Sequence, residues 1–225
     1  MVSTCPQKIP TGRTPHQGFC KRTYSGIIFS HVIFSWEKTK TMCDECCVVF
    51  IRDNLTREEV DGKHILDVGS LNVNGSARDA IVNYTPASYV GVDLVPGFCV
   101  DKILPAEKLL EGYPPESFDI VVSTEMLEHC GDWRLIIHNL KAMVKKGGII
   151  LITTRSKGFP YHEWPIDHWR FELADMRVIF SDFEIVALES DKLAPGVLMK
   201  AIKPQDYVEN DLSAYNIYEI IPGQP

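Results

Sequence analysis

From residue 60 onward, short apolar runs alternate with stretches of helical period. His64-Ile65-Leu66-Asp67-Val68 predicts a buried strand over 65–68, and Tyr89-Val90-Gly91-Val92 a second over 89–92. A loop through Gly75 and a short helix over 77–83 lie between them. A short strand is expected over 98–100, and Phe118-Asp119-Ile120-Val121-Val122-Ser123 is the clearest strand of the set. Asp132 then stands as N-cap to Trp133, Ile136, Ile137, Leu140, Met143 and Val144 at helical spacing. Lys145 and Lys146 suit that helix's negative end, and Gly147 its stop. Strands over 148–153, 183–189 and 197–202 follow, with a helix over 172–180. Such alternation predicts an α/β fold, a doubly wound and mostly parallel sheet covered on both faces. Ligands of these sheets bind at the carboxyl ends of the strands.

Before residue 60 the pattern is helical. Cys43, Cys46, Cys47, Phe50 and Ile51 form one apolar stripe behind Asp44 and Glu45. No second Cys/His pair completes four ligands beside Cys43-x-x-Cys46-Cys47, so these thiols are read as packing groups and no metal is expected. Thr56 and Glu59 have capping-box spacing, flanked by Leu55 and Val60 as a hydrophobic staple. Residues 1–41 differ: they lack a period until an apolar run over 26–36, too short for the ~20 residues of a membrane span. They are read as a basic N-terminal extension, poorly ordered or not native, with Met42 opening the patterned domain of 42–225.

Charge sharpens that division. The 225 residues carry a net −7; residues 1–41 hold six Lys/Arg against one acid, a balance of +5, so 42–225 carry −12. An acidic domain offers no footprint for phosphate, so nucleic acid is an unexpected partner. Seven scattered cysteines, odd in number, suggest free thiols in a reducing compartment, and the expected location is cytoplasmic.

Three strand ends carry the candidate chemistry. Asp67-Val68-Gly69-Ser70-Leu71-Asn72-Val73-Asn74-Gly75 is a glycine-bearing loop after the first strand, which lets backbone approach a ligand closely. Asp93 ends the second strand, where a carboxylate can accept both hydroxyl hydrogens of a ribose. Ser123-Thr124-Glu125-Met126-Leu127-Glu128-His129 follows the strongest strand. A nucleoside cofactor follows from the first two. Leu71 at the second glycine site argues against NAD(H), and the missing Gly-Lys-Ser/Thr excludes a P-loop.

In this order, these motifs resemble the class I S-adenosylmethionine-dependent methyltransferases, over about residues 60–203. Leu140-Lys141-x-Met143-Val144-Lys145-Lys146-Gly147-Gly148 and the strand after it complete the likeness. The resemblance implies a Rossmann-like seven-stranded sheet with an antiparallel last strand, and S-adenosyl-L-methionine as cofactor. It implies that Asp67, Gly69, Ser70, Asn72 and Gly75 flank the methionine part and that Asp93 holds the ribose. Ala106 and Glu107 would lie by the adenine, with Ser123, Thr124 and Glu125 beneath the cofactor. Two departures stand out. Leu71 and Val73 replace family glycines, and Pro105-Ala106 replaces an Asp-Ala pair, removing a side-chain acceptor from the adenine edge.

The segment after the fifth strand, 155–171, is dense in aromatic and titratable residues, as an acceptor pocket would be. His162 is the first candidate for a general base, Glu163 the second and His129 a third. Asp167 and Arg170 have the spacing of an i,i+3 ion pair and are read as a structural pair at a helix start. The expected reaction is in-line methyl transfer to a small or medium polar acceptor, whether metabolite, glycan or lipid-linked precursor. An RNA or protein methyltransferase, and a catalytically silent cofactor-binding subunit supporting a partner, are the alternatives.

Overall fold

The structure is a computed structural model, and it describes residues 45–163 and 166–220. The expectations for residues 1–41, Met42 and Cys43 lie outside the described residues. Helices α1 (Glu45–Asp53) and α2 (Arg57–Val60) open the described chain. Strand β1 (His64–Val68), helix α3 (Ala77–Ala80), β2 (Ser88–Asp93) and β3 (Lys102–Ile103) follow. Next come α4 (Leu109–Gly112), β4 (Phe118–Thr124), α5 (Trp133–Met143) and β5 (Val144–Arg155). The chain closes through β6 (Trp169–Arg170), α6 (Leu173–Ile179), β7 (Glu184–Ser190), β8 (Gly196–Ile202) and β9 (Tyr218–Glu219). Seven strands make one sheet in the order β3-β2-β1-β4-β5-β8-β7, parallel except that β8 runs antiparallel to both neighbours. Strands β6 and β9 form a separate two-stranded ribbon.

Period-two alternation puts each strand's apolar residues on both faces. Ile65, Ile120, Val122, Ile149 and Leu151 meet Cys47, Phe50, Ile51 and Val60 on one side. Leu66, Val121, Ile150 and Ile152 meet Trp133, Ile136, Ile137, Leu140 and Phe171 on the other. The capping box at Thr56 forms as its spacing predicts: the Glu59 amide donates to Thr56 Oγ1 at 3.3 Å, and the Thr56 amide to Glu59 Oε2 at 2.8 Å. Asp132 caps α5, accepting from the Arg134 and Leu135 amides at 3.1 and 3.2 Å.

Four local expectations change. The strand expected over 98–100 forms instead at β3, because 97–100 closes a turn with Cys99 at φ +73°. Helix α5 stops at Met143, not Gly147: Val144 already pairs with Phe118, and Lys145 reaches Asp119 at 3.0 Å from inside β5. Helix α3 is one turn long, ending at Ala80, short of the expected residue 83. Asp167 and Arg170 do pair, at 2.7 Å, but Arg170 sits in β6 and no helix starts there.

Candidate functional site

The carboxyl ends of β1, β2 and β4 open on a cavity of about 560 Å³, a volume suited to a small molecule. Among the sequence candidates, Asp67, Gly69, Ser70, Gly75, Asp93, Ala106, Glu107, Thr124, Glu125 and His129 line it. Gly69 is required where it stands: its φ is +81°, and a Cβ there would lie 2.8 Å from Met126. Asn72 does not line the cavity; its Oδ1 accepts from the Gly75 amide at 3.0 Å and closes the loop's turn. Ser123 is buried within β4 and does not reach it either.

Leu71 is accommodated at the family glycine site. Its side chain lies 2.1 Å from where a Cβ on Gly97 would fall, so the missing side chain at 97 is what leaves Leu71 its room. The Leu71 amide donates to Asp93 Oδ2 at 3.0 Å, bracing the strand-end carboxylate against the loop. Among the described residues, Asp93 Oδ1 accepts only a long 3.4 Å bond from the Val95 amide. Asp67 is 1% exposed, and its Oδ2 accepts from the Tyr89 hydroxyl at 2.7 Å. Asp67 Oδ1 has no hydrogen-bond partner among the described residues, and burial pushes this carboxyl up to about 7. Beside the cavity, Asn139 of α5 donates to the Ala106 and Glu107 carbonyls at 2.9 and 3.0 Å.

A polar corner borders the cavity where the loop before β6 folds over the end of β4. The His168 amide donates to the Glu128 carbonyl at 2.8 Å, and Trp169 Nε1 to the Cys130 carbonyl at 2.7 Å. His129 lines the cavity; His162 stands behind it, ring centroids 4.7 Å apart. His162 is oriented by Asp167, whose Oδ2 accepts from both its amide and its Nδ1 at 2.9 Å. Arg170 locks Asp167 in turn and holds its carboxyl well below the usual range against the opposing effect of burial. Glu163 is exposed, accepts from the Tyr161 hydroxyl at 3.1 Å, and is not part of the cavity lining. Glu125 lines the floor but is committed: it pairs with Arg155 and accepts from Thr153 Oγ1 at 2.9 Å and Cys47 Sγ at 3.4 Å. Burial first, then the Glu128 charge, raises the Glu125 carboxyl well above the ordinary range.

Residues 49–188 match the family model described as a methyltransferase domain. The chain belongs to the class I S-adenosylmethionine-dependent methyltransferases. It is 31% identical over 125 residues to a ubiquinone biosynthesis O-methyltransferase of Rhizobium etli, covering 49% of this chain and 48% of that one. A counterpart from Rhizobium leguminosarum bv. trifolii is 28% identical over the same length. The chain thus spans about half the length of the curated relatives it matches. Among solved structures, an S-adenosylmethionine-dependent methyltransferase from Mesorhizobium loti superposes with TM-score 0.51 at 18% identity, over 68% of this chain and 95% of that one. The Burkholderia thailandensis 1,6-didemethyltoxoflavin-N1-methyltransferase, solved with S-adenosylhomocysteine, superposes with TM-score 0.55 at 15% identity, over 72% and 80%.

The cavity fits the cofactor of this methyltransferase family. An orphaned buried carboxylate oxygen suits an ammonium group, and the Gly69 cradle leaves no room for a side chain. Sequence reasoning missed Asn139, which looks like any polar helix residue until the fold sets it under Ala106. It also missed Glu128, whose place beside His129 and His162 depends on a loop closing 33 residues downstream of His129.

Proposed function

We propose that the chain transfers the methyl group of S-adenosylmethionine to a hydroxyl of a small or medium polar acceptor. The observation that carries this reading is a single cavity lined by Asp67, with its orphaned oxygen, and by His129, whose Nε2 has no partner among the described residues. Asp67 would take the methionine ammonium, Asp93 the ribose hydroxyls, and Ala106 with Glu107 the adenine edge that Asn139 stiffens. In the transfer, a carbon–oxygen bond forms as the carbon–sulfur bond breaks, the electron pair stays on sulfur, and the acceptor's proton leaves. Holding acceptor, methyl and sulfur in line is worth up to roughly 7–11 kcal/mol of the barrier. A hydroxyl must also lose its proton, and the corner of His129, Glu128 and His162 is where that happens. The O-methyltransferases among the relatives support oxygen as the accepting atom. The −12 charge of residues 42–225 disfavours RNA.

Calorimetry with S-adenosylhomocysteine is expected to show one site per chain. Asp93→Ala should weaken it about tenfold or more, because a charge-assisted hydrogen bond is worth roughly 1.5–3 kcal/mol. No binding of either the methylated or the demethylated cofactor at millimolar concentration sinks the proposal. With methyl-labelled cofactor and a panel of phenols, catechols, amines and thiols, the label is expected in ethers; label confined to amines or thiols refutes oxygen.

A further inference from the structure

Three buried side chains at the cavity's polar corner turn lone pairs toward one another. His129 Nδ1 lies 2.8 Å from the Ile166 carbonyl, which can only accept, so Nδ1 carries a proton and, in the neutral ring, Nε2 the lone pair. His162 Nδ1 lies 2.9 Å from the Asp167 carboxylate, and the same logic leaves its Nε2 a lone pair. Glu128 uses Oε2 to accept from Thr154 Oγ1 at 2.9 Å, leaving Oε1 free of hydrogen bonds among the described residues. One ligand atom from each of His129, His162 and Glu128 lies within 4.8 Å of the other two, and His129 Nε2 and Glu128 Oε1 are 3.9 Å apart. The side chains are 8%, 7% and 0% exposed. With both rings neutral, three acceptors face one another without a donor, an arrangement that a bound cation completes.

We propose that Glu128, His129 and His162 bind one first-row transition dication, which activates the acceptor hydroxyl for methyl transfer. The inference rests on the methyltransferase reading for its purpose, though not for its geometry. Two imidazoles and a carboxylate suit zinc, manganese, iron or cobalt in the +2 state; magnesium and calcium prefer all-oxygen sets. Bonds of about 2.0–2.2 Å set ligand atoms roughly 3–3.5 Å apart around one ion, so binding draws each atom inward by less than about 1 Å. The outer shell is already that of a metal site: each histidine's far nitrogen donates to a fixed oxygen, Ile166 O or Asp167 Oδ2.

Three protein ligands keep coordination positions open. His129 is the ligand that lines the cavity, so those positions are reached from the cofactor side. A hydroxyl bound there would lose its proton near neutral pH, as zinc-bound water does when its pKa falls from about 16 to about 7. The proton passes to solvent, and the oxygen keeps the electron pair that forms the new bond to carbon.

The test uses the full chain stripped with chelator, then dialysed against Zn²⁺, Mn²⁺, Co²⁺ or Mg²⁺ and analysed for retained metal. One transition ion per chain is expected, and no retention of Mg²⁺ at the same concentration. Glu128→Gln, His129→Gln and His162→Gln should each weaken metal binding at least tenfold while circular dichroism and cooperative thermal unfolding match the wild type, which certifies the fold. Paramagnetic resonance of the wild type carrying one Cu²⁺ should show two coupled imidazole nitrogens, a readout that needs no variant. No retained transition ion, retention that all three variants leave unchanged, or histidine NMR showing a shared proton at both rings at pH 7 overturns the site. A chain that binds the demethylated cofactor but no metal defeats this inference and leaves the methyltransferase reading standing. One that binds metal but neither form of the cofactor does the reverse.

Discussion

Asp67 ends β1 with one oxygen on Tyr89 and the other orphaned, and burial has raised its carboxyl to about 7. The Tyr89 hydroxyl is itself pushed well above its usual value, by burial first and then by the Asp67 charge, so it stays a donor. Without ligand, the proton on Asp67 competes with whatever cation the cavity receives. Affinity for S-adenosylhomocysteine, which carries the same ammonium, should therefore rise as pH climbs through about 7 and level off above it. Calorimetry near pH 6.5 in buffers of different ionisation enthalpy should show a proton released on binding. Asp67→Asn should flatten the pH profile and abolish the release; a wild-type profile already flat would remove Asp67 from the ammonium site. Conservative side chains at this scale are not interchangeable, because one orphaned oxygen carries the charge match.

Helix α5 works as a clamp at the scale of elements. One side buries Trp133, Ile136, Ile137, Leu140 and Met143 on the sheet, while Asn139 holds the Ala106–Glu107 carbonyls beside the cavity. Lys141, fully buried, pairs with Asp182 at 2.7 Å and donates to the Ile179 carbonyl, tying α5 to the end of α6. Arg134 reaches the carboxyl-terminal tail, donating to the carbonyls of Leu212, at 3.0 Å, and Tyr215. Arg134→Ala should cost about 1–3 kcal/mol, the range for losing hydrogen bonds from a charged group. Hydrogen exchange should quicken at residues 210–219 while S-adenosylhomocysteine affinity holds. Unchanged exchange there would mean that β9, through its pairing with β6, holds the tail without the helix.

Over the whole molecule, two sets of carboxylates oppose each other in pH. Asp167, Asp119 and Glu59 are held below their ordinary values, so their stabilisation is present above the unfolded pKa and lost as pH falls. Asp67 and Glu125 are raised by burial, so the folded state holds their protons more tightly; Asp67 makes stability decline as pH rises from about 4 through 7, and Glu125 acts in the same direction. The ligand-free Tm should thus peak on the acid side of neutrality. S-adenosylhomocysteine should raise Tm more at pH 8 than at pH 5.5, because it compensates the Asp67 charge; an equal shift at both refutes this balance. Six of the seven sheet strands, the caps at Thr56 and Asp132, and the loop and strand-end residues that line the cavity were legible in the sequence, because each depends on neighbours within a few positions. The stop of α5 was not: Val144 leaves the helix to pair with Phe118, a partner 26 residues away. Nor was the separation of the base candidates, with His129 on the cavity, His162 behind it and Glu163 outside. Asp67, Gly69 and Asp93 lie where local pattern alone puts them, at strand ends along one edge of a parallel sheet. Asn139 beneath Ala106, Gly97 opposite Leu71, and Glu128 gathered with two histidines were decided only by tertiary structure. Their chemistry comes from burial and from partners far along the chain, and desolvation strengthens such contacts only after the fold has closed over them.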